Sequence, residues 1–292
     1  MSGMVRCNSP GSAEEAVRGS LLSMRDEDRP TLSRAPETKA CGSGALTGAR
    51  LSNRSPDLIG VEETNADDEG TMARVRQYDG DGIRVTYDAE RCIHAAECVH
   101  GLPSVFDPSR RPWIDATAAP AESLAAVVRQ CPTGALAYER LDGGPPEAPA
   151  PNNELRVIPD GPVYVSGNLV ILDAERREIE RDTRAALCRC GASNNKPFCD
   201  GRHADVGFED SGILGAPAIR PVSEEASPDL SIRLRGDGPL VLDGRFRLVG
   251  SDGSEAVGAS GALCRCGASK NKPFCDGTHR EIEFEADDPT PG

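Results

Sequence analysis

Aromatic residues are scarce, with one Trp, four Tyr and six Phe in 292 residues. So few rings cannot fill large cores. Several small units, each drawing part of its folding free energy from bound metal, suit that poverty better. Long apolar runs are also missing. Nothing approaches the roughly 20 residues of a membrane span, and the first residues lack the continuous apolar core of a secretion signal. The expectation is a cytoplasmic protein with no membrane partner. Positive charge is in deficit, 33 Lys and Arg against 47 Asp and Glu for a net charge of −14, which argues against nucleic acid as a partner. Lysine and histidine are rarer still, four of each.

What the chain does have is cysteine. Of its eleven, nine fall in metal-type spacings, which points to a reducing compartment rather than a disulfide scaffold; Cys7 and Cys41 stand apart. Residues 188–203 read CRCGASNNKPFCDGRH and residues 264–279 read CRCGASKNKPFCDGTH. Each block offers three thiolates and one imidazole: Cys188, Cys190, Cys199 and His203, then Cys264, Cys266, Cys275 and His279. That is a complete four-ligand set for a soft metal centre. The other two histidines, His94 and His100, also lie beside cysteines.

Within each block the first two cysteines are separated by one residue, as in an extended or turning loop. The third cysteine and the histidine are spaced i, i+4, which suits one face of a helical turn. Pro197 and Pro273 are placed to start that turn, and Asp200 and Asp276 fall where an acid suits the helix dipole. Gly201 and Gly277 leave room for an inorganic core near the backbone. Three of the four lysines lie in the blocks, and Lys196 and Lys272 recur at one position, where a slim ammonium can donate to a sulfide or thiolate. Two ligands from a loop and two from a turn match a two-iron core, yet one tetrahedral zinc could be held in the same way.

A third cluster of cysteines precedes the blocks. Cys92, Cys98 and the Cys131-Pro132 pair echo a C-x2-C-x2-C…C-P run with Ala95 at the middle position. Three thiolates suit a [3Fe–4S] cluster, or a [4Fe–4S] cluster whose fourth iron takes His94, His100 or an outside ligand.

Residues 1–71 are polar and unpatterned and read as a disordered leader. Residues 72–140 form a compact unit with a strand at Ile83–Tyr87, a helix over Pro120–Gln130 and a short strand at Ala135–Tyr138. A linker follows at 141–153. Two homologous units span 154–210 and 230–286, joined by 211–229; each opens with two short strands around a glycine turn, at Gly167 and Gly244. The fold class expected is α+β, with β-rich repeats.

Both blocks resemble the CDGSH iron–sulfur family, pattern C-x-C-x2-S-x3-P-x-C-D-G-x-H, matched at every fixed position, including Ser193 and Ser269. The family's name has Ser where this chain has Arg202 or Thr278. The resemblance implies one [2Fe–2S] cluster per block, with the cysteine pair on one iron and the Cys/His pair on the other. Lys196, Lys272, Asp200 and Asp276 would stand around them. It also implies a monomer whose repeats pack as a pseudo-dimer. The segment CIHAAECVHGLPSVF with CPTGAL resembles the divergent mono-cluster ferredoxins, implying a small ferredoxin-like fold with a [4Fe–4S] or [3Fe–4S] cluster.

The function expected from these residues is intracellular electron transfer by a non-enzyme whose partners are redox proteins. The alternatives are a cluster carrier serving apo-acceptors or a redox and pH sensor, and, in another class, a zinc-stabilised interaction module. The block serines lack an independent histidine base, which disfavours nucleophilic catalysis.

Overall fold

The computed structural model describes residues 75–222, 227–286 and 288. The leader expected over 1–71, with Cys7 and Cys41, lies outside them. The described residues are mostly β with few helices, and none of their helices is long and apolar enough to cross a membrane.

The first sheet has three antiparallel strands in the order β1 (Val75–Gly80), β2 (Ile83–Asp88) and β3 (Leu136–Arg140). The period-2 pattern of β2 explains its place: Ile83 and Val85 are fully buried while Arg84 and Thr86 are half-buried. Between β2 and β3 come two short helices, α1 (Glu97–Gly101) and α2 (Ala121–Val128). Pro120 caps α2, its carbonyl accepting from Leu124 N at 3.1 Å. Leu124, Ala125 and Val128 turn inward against Ile83, Phe106, Ile114 and Leu136. Each large side chain buried this way contributes about 1.5–3 kcal/mol. The end of α2 delivers Cys131, whose N–H returns to Val128 O at 3.0 Å.

The second sheet carries both repeats. Its strands are β4 (Glu154–Val157), β5 (Val163–Leu172), β6 (Glu178–Leu187), β7 (Ile219–Arg220), β8 (Leu230–Leu234), β9 (Leu240–Val249) and β10 (Glu255–Leu263). Each repeat contributes a short strand, a long one and a return strand. The repeats are woven together, because each long strand changes partner midway. The first half of β5 pairs antiparallel with β4 and its second half parallel with β8; β9 pairs first with β8 and then, in parallel, with β4. The pairings β4–β5–β8–β9–β4 therefore close a ring, with β6 on β5 and β10 on β9.

The glycine turns expected at Gly167 and Gly244 are absent. Each glycine sits inside one continuous ten-residue strand, β5 or β9, close to the point where pairing changes partner. Their φ values are +139° and +120°. A Cβ on Gly167 would overlap the Asn153 side chain, and one on Gly244 the Asp229 carbonyl oxygen. The glycines are there for close approach at a strand irregularity, which a local reading cannot tell from a hairpin turn.

Leu, Val and Ile fill the ring, and the few phenylalanines are spent at chosen points. Phe246 joins this core, and Phe198 and Phe274, each next to a ligand cysteine, anchor the two blocks to it. The segment expected as a linker, 141–153, is tied at its middle and at its end. Glu147 accepts from Tyr138 N at 3.0 Å and pairs with Arg184 at 2.5 Å. Asn153 donates to the carbonyls of Pro228 and Arg245, each at 2.8 Å.

Candidate metal centres

Each repeat brings its four ligands together as two pairs. Cys188 follows the last residue of β6, and its N–H bonds Pro197 O at 2.8 Å; Cys199 N returns to Ala186 O at 2.8 Å. An isolated bridge, Leu187 to Phe198, locks the two ligand segments side by side. The second repeat repeats these contacts: Cys264 N to Pro273 O at 2.8 Å, Cys275 N to Ala262 O at 2.9 Å, and Leu263 bridging Phe274.

In the first repeat Cys188 Sγ lies 3.8 Å from Cys190 Sγ, and Cys199 Sγ lies 3.2 Å from His203 Nδ1. The corresponding distances in the second repeat are 3.7 Å and 3.4 Å. The sulfurs are far beyond disulfide bonding, near 2.05 Å. They match the separation of two ligands on one tetrahedral metal, about 3.8 Å for Zn–S or Fe–S bonds near 2.3 Å. Among the described residues no three His, Cys, Asp or Glu side chains close around a single ion position. Both histidines turn Nδ1 toward their cysteine, and Nε2 of His279 faces Gly238.

The paired thiols of each repeat lie within hydrogen-bond reach of one another. One thiol of the pair is held down by its partner, Cys190 to about 7 and Cys264 to about 6, while Cys188 and Cys266 are pushed up. Burial pushes Cys199 up to about 12, and the nearby Cys188 thiol adds to the shift. These are sites where negative sulfur is crowded and poorly hydrated, which favours binding a cation.

The third cysteine and the histidine do not share an α-helix. Phe198 ends in a β-bridge, and the chain then swings through Gly201 (φ +91°) or Gly277 (φ +94°) before turning at the histidine. A left-handed residue breaks the helical path, so glycine serves the backbone here. The aspartates staple loops: Asp200 accepts from Asn194 N at 2.8 Å and Arg202 N at 3.1 Å. Asp276 accepts from Lys270 N at 2.8 Å and Thr278 N at 3.0 Å. Lys196 and Lys272 donate to the carbonyls of Ser193 (2.7 Å) and Ser269 (2.6 Å), bracing the loop from inside.

Two residues that the sequence reading passed over are structural keystones. Arg189 and Arg265, between the paired cysteines, are each 1 % exposed. Arg189 donates to Gly161 O and Ile158 O, pairs with Asp210 and lies over the Phe208 ring at 5.1 Å. Arg265 donates to Gly238 O and Gly236 O, pairs with Asp288 and lies over Phe284 at 5.9 Å. The identical CRC in both blocks was the available signal.

The third group also converges. Cys131 is buried, and Cys92 and Cys98 are half-buried against the same core. Burial pushes Cys98 up to about 11, with contributions from the Cys131 and Cys92 thiols. Burial and the neighbouring Cys92 thiol push the Tyr87 phenol up as well. Ala95 is flanked by two left-handed residues, His94 (φ +58°) and Ala96 (φ +63°), so this loop winds tightly between Cys92 and Cys98. His94 and His100 are exposed.

The three cysteine groups correspond to known family patterns. Residues 78–141 match the family model described as divergent 4Fe-4S mono-cluster. Residues 160–204 and 237–280 each match the model described as iron-binding zinc finger, CDGSH type. The uncharacterized protein YjdI of Escherichia coli K12 is 35% identical over 63 residues, which are 22% of this chain and 83% of that protein. The protein of the same name from Escherichia coli O157:H7 matches to the same extent.

Proposed function

The chain belongs to the divergent 4Fe–4S mono-cluster family through its first unit and carries two CDGSH-type iron-binding domains, and from that premise we propose that it carries electrons inside the cell. In this reading each repeat holds one [2Fe–2S] cluster and the first unit, a ferredoxin-like domain, holds a [4Fe–4S] or [3Fe–4S] cluster. The chain acts as a monomer in the cytoplasm, and its partners are redox proteins rather than substrates.

The observation that carries the reading is the pairing of ligands. A rhombic two-iron core needs two ligands on each of two metals, and each repeat offers a Cys/Cys pair and a Cys/His pair at bite distance. A single zinc needs all four on one point. The donor chemistry fits as well, with three thiols and one imidazole in a half-buried pocket.

Such a cluster supplies a site that gains and loses one electron. The residues set its character. A neutral imidazole in place of a fourth thiolate removes one negative charge and raises the reduction potential. The braced loops, Lys196 on Ser193 and Asp200 on Asn194, hold the ligands in one geometry, so little reorganises when charge changes. In the first unit, Cys92, Cys98 and Cys131 with Ala95 leave one iron corner of a four-iron core without a thiolate from the described residues.

The second reading is a cluster carrier or redox and pH sensor. It is favoured by the imidazole ligands, which protonation can detach. The deciding experiment reduces the anaerobically purified chain stepwise with dithionite, followed by EPR. It then offers the protein to an apo-ferredoxin. Reversible reduction with clusters retained supports electron transfer, and rapid loss of clusters to the acceptor supports the carrier.

A further inference from the structure

The first repeat receives the first unit through a set of buried contacts. Arg91, next to Cys92, lies with its guanidinium 4.5 Å from the ring centre of Phe198, next to Cys199. It is 5 % exposed and pairs with Glu180 at 2.9 Å and Asp182 at 2.5 Å on β6. Arg184, also on β6, donates to Cys131 O at 2.8 Å and Leu136 O at 2.9 Å. Asn195 of the ligand loop donates to Glu90 O at 3.0 Å. Gly134 lets the backbones meet, for a Cβ there would stand 2.5 Å from Arg184 O.

These contacts leave a short bonded path. It runs from Cys131 C=O across one hydrogen bond to Arg184, along β6 to Ala186, and across a second, 2.8 Å, to Cys199 N. Tyr164 is paired with Ala186 on the outer face of β5, and its phenol is raised by burial and by the Cys199 and Cys131 thiols together. On the other side the two CxC loops abut. A Cβ on Gly191 would lie 2.8 Å from Cys266 O, and one on Gly267 would lie 2.5 Å from Cys190 O.

The second repeat keeps Asn271 and Phe274 at the places of Asn195 and Phe198 but lacks the other docking residues. Val241 replaces Tyr164, and Gly258 and Ser260 replace Asp182 and Arg184. Its edge is covered by β7, paired at Ser260 and Gly261, and by Asn271 donating to Ala216 O at 3.0 Å. Beside His279 and Cys275 a cavity of about 510 Å³, floored by Val241 and Ala262 and rimmed by Arg235 and Arg280, opens outward.

We propose that the three sites work in series, with the Cys188/Cys190/Cys199/His203 site as the middle station between the first-unit cysteines and the second repeat. This rests on the electron-transfer reading. A low-potential one-electron donor protein reduces the first-unit site. One electron then passes to the middle site and on to the second-repeat site, each step oxidising one site and reducing the next with no bond made or broken. The order follows from contact, with the first unit docked on the first repeat and the two CxC loops abutting.

The test uses the full chain loaded with iron and sulfide. In the wild type, the EPR signal of the reduced first-unit site should relax faster when the middle site is reduced. Cys199→Ser with His203→Ala should abolish that enhancement, and Cys275→Ser with His279→Ala should leave it. On rapid mixing with limiting dithionite, removing the middle site should slow electron arrival at the second repeat by at least about tenfold. Arg184→Gln should slow the first step with iron content unchanged. Enhancement that survives loss of the middle site, or an unchanged arrival rate, overturns the series. A wild-type chain lacking iron and sulfide overturns the cluster reading, and the series with it.

Discussion

Arg189 and Arg265 occupy the same buried position in the two repeats, each between paired cysteines and each closing a loop of backbone carbonyls, an aspartate and a phenylalanine ring. The guanidinium fixes the loop that carries the two cysteines. Removing it leaves Asp210 or Asp288 unpaired in a site where water is scarce. Arg189→Ala should therefore cost about 3–5 kcal/mol and empty the first repeat alone, and Arg265→Ala should do the same to the second. Chemical denaturation with iron counted per chain checks both.

Replacing His203 or His279 by Cys should keep the metal, since the position already supplies one ligand of a pair. An added negative charge disfavours the incoming electron, so each reduction potential should fall, on the order of 100 mV. Redox titration of the two variants measures it, and unchanged potentials would remove these histidines from the ligand sets.

Acid should act through the imidazole before it reaches the loop staples. The backbone N–H groups of Thr278 and Lys270 hold the Asp276 carboxyl below the ordinary carboxylate range. A depressed folded value means its stabilising contribution is present above the unfolded value of about 3.9 and fades only as pH falls through the lower folded one. Acid bleaching above the carboxylate range is thus assigned to release of the imidazole ligand. His279→Cys should shift the bleaching midpoint of the second repeat to lower pH, and Asp276→Asn should leave it in place. Stopped-flow absorbance after pH jumps reads both.

Gly244→Ala should be among the worst small changes in the chain. It combines φ +120° with overlap on the Asp229 carbonyl, for a cost of about 3 kcal/mol. Gly253→Ala is the control. It has φ +81° and open space, so strain alone should cost about 1 kcal/mol. Paired denaturation curves give the difference.

Much of the site was legible because metal ligation writes itself locally: Cys188 to His203 is one short segment, repeated. The helix α2 was legible for a similar reason, since Leu124, Val127 and Val128 announce one buried face. What escaped was long-range. Nothing near Gly167 says that β5 will leave β4 for β8, because that depends on a strand some 60 residues away. Arg184, Tyr164 and Arg91 look like ordinary strand and loop residues until the first unit folds against them. The i, i+4 spacing of Cys199 and His203 also fits a turn through a left-handed glycine, and φ at Gly201 decides between the two.

Elemental and sulfide analysis of the full chain purified without oxygen tests the central claim most directly. The account predicts a coloured protein with iron and acid-labile sulfide in near-equal amounts and little zinc. Stoichiometric zinc with no sulfide would contradict it.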